Sequence, residues 1–184
     1  MKKLLGITLT VFLLISCSAT YMAYRQDMFE GVNFLRQEEY QEARACFMKA
    51  LEEQRDARSL ALVATANYKL KDLTAAERYL TEAENLKQTD FSYLRIIGYK
   101  ALTFLKESRK AEGMEALKQY IDTYNHVYPM PSIATLEKMW KKDNINMEVL
   151  ESLIDEQVNT YEDDIELYRK AGVGWYQRFP PGDL

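Results

Sequence analysis

The sequence predicts an all-α protein built of stacked antiparallel helix hairpins. Three observations lead there. Glycine and proline are sparse, 7 and 4 in 184 residues, while Ala, Leu, Glu, Lys and Gln, all good helix formers, dominate the middle of the chain. Short runs alternating apolar and polar residues, the mark of a half-buried strand, are hard to find. A set of small and large positions also recurs with an offset of 33 residues, first as Ala43, Phe47 and Ala50, then as Ala76, Leu80 and Ala83.

The first sixteen residues stand outside that pattern. Met1-Lys2-Lys3 is basic, and Leu4 to Ile15 is apolar apart from Gly6, Thr8 and Thr10. A helix needs roughly 20 residues to span a bilayer, so this run has instead the proportions of a secretory signal. It ends in Leu14-Ile15-Ser16-Cys17, which resembles the lipobox of bacterial lipoproteins. The resemblance implies that the Cys17 sulfur receives a diacylglyceryl group, that the chain is cut before it, and that the new amino group is acylated. The chemistry needs a thiol nucleophile. Two lipid chains already hold a protein stably on a membrane. Ser18 stands where an aspartate would retain a lipoprotein in the inner membrane, so the expected location is the outer membrane of a bacterial envelope, facing the periplasm. The alternative is an ordinary signal cut after Ser18, with a freely soluble product. Residues 1–16 are read as the signal peptide and 17–23 as a lipidated linker. No cofactor is expected beyond the covalent lipid on Cys17.

In the first hairpin, Gly31 and Phe34 share one helix face. After a turn around Gln37 to Glu39, Ala43, Phe47 and Ala50 share a face of the second helix. The small residues let the backbones approach, and Phe34, Tyr40 and Phe47 fill the seam. In the second hairpin Thr65 and Tyr68 precede the turn at Lys71-Asp72-Leu73, and Thr74 with Glu77 makes a capping box. The third begins with Asp90 as cap and carries Ile96, Gly98, Ala101, Leu102 and Leu105, with Ala116, Tyr120 and Thr123 on its partner helix. Ala76 to Ala116 is a step of 40 residues, so this hairpin's helices or turn have grown.

These residues resemble the tetratricopeptide repeat (TPR) family over roughly residues 24 to 125, a stack of helix hairpins with a period of about 34. Departures are Asp27 for the early tryptophan, Glu30 for the leucine before the glycine, Arg55 for the closing proline, Thr65 for the glycine and Leu80 for the phenylalanine. The resemblance implies about three TPR-like repeats over residues 24–128, wound into a right-handed superhelix. The first helix of each hairpin would line a concave groove: Met28, Val32 and Leu35, then Leu62, Ala66 and Lys69, then Arg95, Tyr99 and Leu102. Members that clamp a peptide's terminal carboxylate use Lys, Arg and Asn there. Met28, Val32 and Val63 occupy such places here, so an apolar segment or helix is the expected ligand.

Tyr128-Pro129-Met130-Pro131 breaks the pattern, because the residue before each proline is pushed out of the helical region. Ser132 then caps a short helix to about Lys141, Asp143 to Asn146 form a turn, and a long helix runs from Met147 to Lys170. Its stripe is Met147, Leu150, Ile154, Val158, Tyr161, Ile165 and Tyr168. Arg169 and Lys170 suit the negative helix end and Gly172 the stop. Residues 129–171 are read as capping helices that close the stack, with a coiled-coil dimer as the alternative. In the tail, 172–184, Trp175, Tyr176 and Phe179 either fold back or dock on a partner, and Pro180-Pro181 favours an extended docking mode.

Losing Lys2 and Lys3 takes the formal net charge from −4 to −6. An acidic chain with no basic run is a poor fit to nucleic acid or anionic lipid surfaces. Cys46 stands alone if Cys17 is lipidated, so no internal disulfide forms, and it reads as a small core residue. His126 is the only histidine. No Cys/His cluster suits a metal and no Gly-rich loop suits a phosphate. Glu38-Glu39, Glu52-Glu53 and Asp163-Asp164 are adjacent pairs that point about 100° apart on a helix, which suits solvated faces. The expected function is therefore a non-enzymatic, lipid-anchored scaffold of the bacterial envelope. It would recruit or assemble envelope proteins or peptides, touch the membrane through its anchor, and take no small-molecule substrate. The alternative is an envelope hydrolase or cell-wall enzyme with an unrecognised site, which a loss of activity on His126→Ala would favour.

Overall fold

The structure, a computed structural model, describes residues 20–86, 92–128 and 131–174. Cys17, Asp90, Trp175, Tyr176 and Phe179 lie outside the described residues. Eight helices and no strand occur among those described, so the chain is all-α as expected. They belong to two compact units, one within Met1–Leu86 and one within Lys87–Leu184.

The first unit is two helix pairs: α1 (residues 20–36) with α2 (Tyr40–Glu53), and α3 (Ala57–Lys69) with α4 (Leu73–Asn85). α2 also packs on α3. Gly31 is where α1 meets α2. A Cβ there would lie 2.5 Å from Cε1 of the Phe47 ring, so only glycine allows this approach. Ala43, Phe47 and Ala50 are fully buried across that seam, as are Ala76 and Leu80 across the next. Burying one such phenyl or leucyl group contributes about 1.5–3 kcal/mol.

α3 is buried along almost its whole length, which a helix tolerates only if its polar groups find partners. Thr65 Oγ1 donates to the Ala61 carbonyl at 2.9 Å, and Asn67 Nδ2 to that of Val63 at 2.8 Å. A capping box starts the helix: the Ser59 backbone N–H donates to Asp56 Oδ1 at 2.7 Å and the Asp56 N–H to Ser59 Oγ at 3.3 Å. α4 is capped by Asp72, whose carboxylate accepts from the Ala75 N–H at 3.1 Å. The box expected at Thr74 and Glu77 therefore does not form: the preceding turn ends two residues sooner and puts both inside the helix.

One turn design joins α1 to α2, α3 to α4, and α5 (Tyr93–Lys106) to α6 (Lys110–Val127). In each, a residue in the left-handed region follows the first helix: Glu38 at φ 62, Lys71 at 65 and Ser108 at 64. The next N–H then reaches back five residues, from Glu39 to Phe34, Asp72 to Asn67, and Arg109 to Phe104, at 2.9 Å each time. This is the Schellman ending, usually built on glycine. Asp143, at φ 49, repeats it between α7 (Ile133–Lys141) and α8 (Met147–Ala171).

These turns fix the repeat register. Glu38, Lys71 and Ser108 are separated by 33 and 37 residues. The third-hairpin equivalents of Ala76, Leu80 and Ala83 are thus Gly113, Leu117 and Tyr120, all buried. Ala116, Tyr120 and Thr123, the expected set, sit three residues further on, and Thr123 is half-exposed. By the same count Ala64 and Asn67, not Thr65 and Tyr68, stand where Gly31 and Phe34 do. The hairpin turn has not grown. The extra residues lie before α5, which begins eight positions after α4 ends, whereas α3 begins four after α2 ends.

In the second unit α5 packs on α6, α6 on α7, and α8 on α5. The expected stripe of α8 is buried from Leu150 through Ile165, and the helix stops at Gly172, φ 65, whose N–H bonds the Tyr168 carbonyl at 2.8 Å. A Cβ on Gly98 of α5 would lie 2.8 Å from Ile154 Cγ2, so α8 presses close on α5. Tyr120, Tyr124, Tyr128 and Tyr161 form a ladder of rings with centroids 5.7–5.9 Å apart, tilted at the first step and edge-on at the next two.

Candidate functional site

The residues expected to line a groove divide sharply. In the first unit Val32, Leu35 and Lys69 keep part of their surface, whereas Met28, Leu62 and Ala66 are buried. In the second unit Arg95, Tyr99 and Leu102 are all buried, Arg95 to 3% exposure. The physical reason for two of them is α8. Arg95 Nε donates to Glu162 Oε1 at 2.8 Å, and its Nη2 donates to Glu162 Oε2 at 2.9 Å and to Asn159 Oδ1 at 2.8 Å. The Tyr99 hydroxyl donates to the Asp155 carboxylate. These two side chains clasp α8 to α5 rather than presenting surface to a ligand.

Burial dominates the electrostatics of the clasp. It would lower the Arg95 pKa, but the charge and bonds of Glu162 outweigh it and hold the guanidinium above its ordinary value. Burial, reinforced by the negative Asp155, holds the Tyr99 phenol well above its ordinary value. Deeper in, Tyr120 OH donates to Gln157 Oε1 at 3.0 Å, and Gln157 Nε2 donates to Ser132 Oγ at 3.2 Å.

One grouping was not legible in the sequence. Carboxylate oxygens of Asp27 and Glu30 and the Cys46 sulfur lie within 4.8 Å of one another. Asp27 and Glu30 are two of the departures from the tetratricopeptide pattern, and they lie three apart on one face of α1 against a buried thiol of α2. Burial, then the charges of Glu30 and Asp27, push the Cys46 thiol up. A protonated thiol is a poor nucleophile, and three donors are one short of a closed zinc site. Cys46 is buried and carries no disulfide. His126 is exposed in the last turn of α6. Of the acid pairs, Glu38-Glu39 and Glu52-Glu53 are exposed, as is Asp163, with Asp164 half-exposed.

What remains outside is surface, and it is uneven. Among the described residues the three most exposed large apolar side chains are Phe29 at 65%, Met22 at 64% and Tyr21 at 53%, all on α1. No described helix is long and apolar enough to cross a membrane.

No family model matches the chain, and no curated protein matches it. Among solved structures it is similar to the TPR2B-domain:pHsp70-complex of yeast Sti1, with a TM-score of 0.57 and 19% identity, over 66% of this chain and 95% of that one. A likeness at that identity speaks to the fold: the helix pairs joined by recurring tight turns are those of a tetratricopeptide-like helical repeat.

Proposed function

We propose that this protein is a lipid-anchored scaffold of the bacterial cell envelope, recruiting or assembling partner proteins through its helical repeats. The observation that carries the reading is the repeat fold. Hairpins of this kind bury their shared seams and leave their outer faces for other chains. The structural relative is named as a complex with pHsp70, which supports a protein or peptide as the ligand class here. Leu35 and Lys69, which retain surface, are the proposed contacts in the first unit. They suit an apolar segment with an acidic neighbour. Trp175, Tyr176 and Phe179 are a second proposed docking element. The pattern ending at Cys17 supports the anchor, and with Ser18 behind it an outer-membrane location facing the periplasm. The covalent lipid would be the only added group, and no reaction is assigned.

A photo-crosslinking residue at Leu35 in the native host, followed by identification of what co-purifies, tests the scaffold. One defined protein captured at Leu35 and lost with Lys69→Glu supports it. Capture of nothing at either Leu35 or Lys69 refutes it. Labelling with a palmitate analogue, wild type against Cys17→Ala, tests the anchor, and equal labelling of the two ends that part of the reading.

A further inference from the structure

We infer that the outward face of α1 is a membrane contact, seated on an anionic phospholipid surface beside the lipid anchor. This rests on the proposed lipidation of Cys17. Tyr21, Arg25 and Phe29 follow one another at four-residue steps, with Met22 and Arg36 on the same side of the helix. All five are exposed. The Arg25 guanidinium lies 6.0 Å from the centroid of the Tyr21 ring. Aromatic rings beside arginines are the side chains that settle at the level of lipid headgroups.

Charge points the same way. Cut before Cys17 the protein carries −6, an overall balance that suits anionic lipid poorly, yet this face of α1 carries two arginines and no carboxylate. Asp27 and Glu30 are turned aside toward Cys46 on α2. The face is thus cationic and apolar on an acidic protein, complementary to an anionic leaflet and not to the protein's own kind.

The tether selects lipid as the occupant. Thr20, the first described residue of α1, is three residues from Cys17, at most about 11 Å of chain. Tyr21 to Phe29 spans about 12 Å along the helix. With the Cys17 acyl chains in the bilayer, the first turns of α1 cannot stand away from the headgroups, and the side that carries Tyr21, Met22 and Phe29 is the one that gains by meeting them.

The test uses the lipidated full chain in vesicles of phosphatidylethanolamine and phosphatidylglycerol. Nitroxide labels are placed singly through Met22→Cys, Phe29→Cys and, as a control on α2, Glu52→Cys, each with Cys46→Ala. Collision with a water-soluble nickel chelate and with oxygen reads the depth. Labels at 22 and 29 should sit about 5–10 Å into the headgroup boundary, shielded from nickel, while the label at 52 stays in water. Arg25→Gln and Arg36→Gln should each lower the ratio of seated to unseated molecules about fivefold. Nickel reaching positions 22 and 29 as freely as 52, on a chain that remains lipidated and vesicle-bound, overturns the membrane face and spares the anchor. Spin–spin broadening at position 29 shows a second copy covering the face and also overturns it. An unlipidated chain removes the anchor and this inference together.

Discussion

Removing one side of the pair between Arg95 and Glu162 probes how α8 is held on α5. The two side chains are 4% and 11% exposed, and Arg95→Met would delete three hydrogen bonds of 2.8, 2.9 and 2.8 Å. Charge-assisted bonds contribute about 1.5–3 kcal/mol each, so their sum would exceed 4 kcal/mol. Deletion also recovers the cost of desolvating Arg95, while Glu162 stays buried without its partner. Breaking one side of such a pair costs about 3–5 kcal/mol, the range expected here. With a urea slope of about 2 kcal/mol per molar, the midpoint should fall by about 2 M, followed by far-UV circular dichroism. Arg95→Met with Glu162→Leu removes both charges and should return to within about 1 kcal/mol of the parent. A loss below about 1 kcal/mol for Arg95→Met alone, or a double variant as damaged as the single one, would refute the claim that this ion pair clasps the helices.

Three further outcomes follow from the packing and the turns. Lys71 holds a left-handed conformation that costs a side-chain-bearing residue about 1–2 kcal/mol, so Lys71→Gly should raise stability by about 1 kcal/mol, read as a higher urea midpoint, unless the turn is not the one described. Ala43 is fully buried against the seam, and Ala43→Leu should cost about 1–3 kcal/mol by overpacking, whereas an unchanged midpoint would count against close helix pairing. Burial raises Tyr124 to about 12 and holds Tyr120 well above 10. Above pH 10 the unfolded chain loses these phenolic protons while the folded chain keeps them, so it binds fewer protons and stability falls as pH rises. The stability is present in full below pH 10 and erodes from there through about 12. Urea midpoints at pH 9 and pH 11 should therefore differ in that direction.

The helices were legible because their apolar spacing is plain, and the first hairpin because Gly31 and Phe47 signal a close seam. The corners were silent. Glu38, Lys71, Ser108 and Asp143 sit in left-handed positions that a sequence reading looks for at glycine or asparagine. Without those corners the third hairpin slid by three residues, since Ala116, Tyr120 and Thr123 have the same spacing as Gly113, Leu117 and Tyr120. The expected groove rested on family resemblance, which places Arg95 and Tyr99 on a helix but not what covers them. Their partners Glu162 and Asp155 are 67 and 56 residues away along the chain, and no local pattern links them.

The clasp on α5 also limits how this architecture can grow. Duplicating a hairpin is the easy way to lengthen such an array, because each added copy docks like the one before. A copy inserted after α6 would have to evict Glu162 and Asp155 from Arg95 and Tyr99, stranding a guanidinium without its counterion. α8, the last of the described helices, is thus a bookend fixed in place by charge.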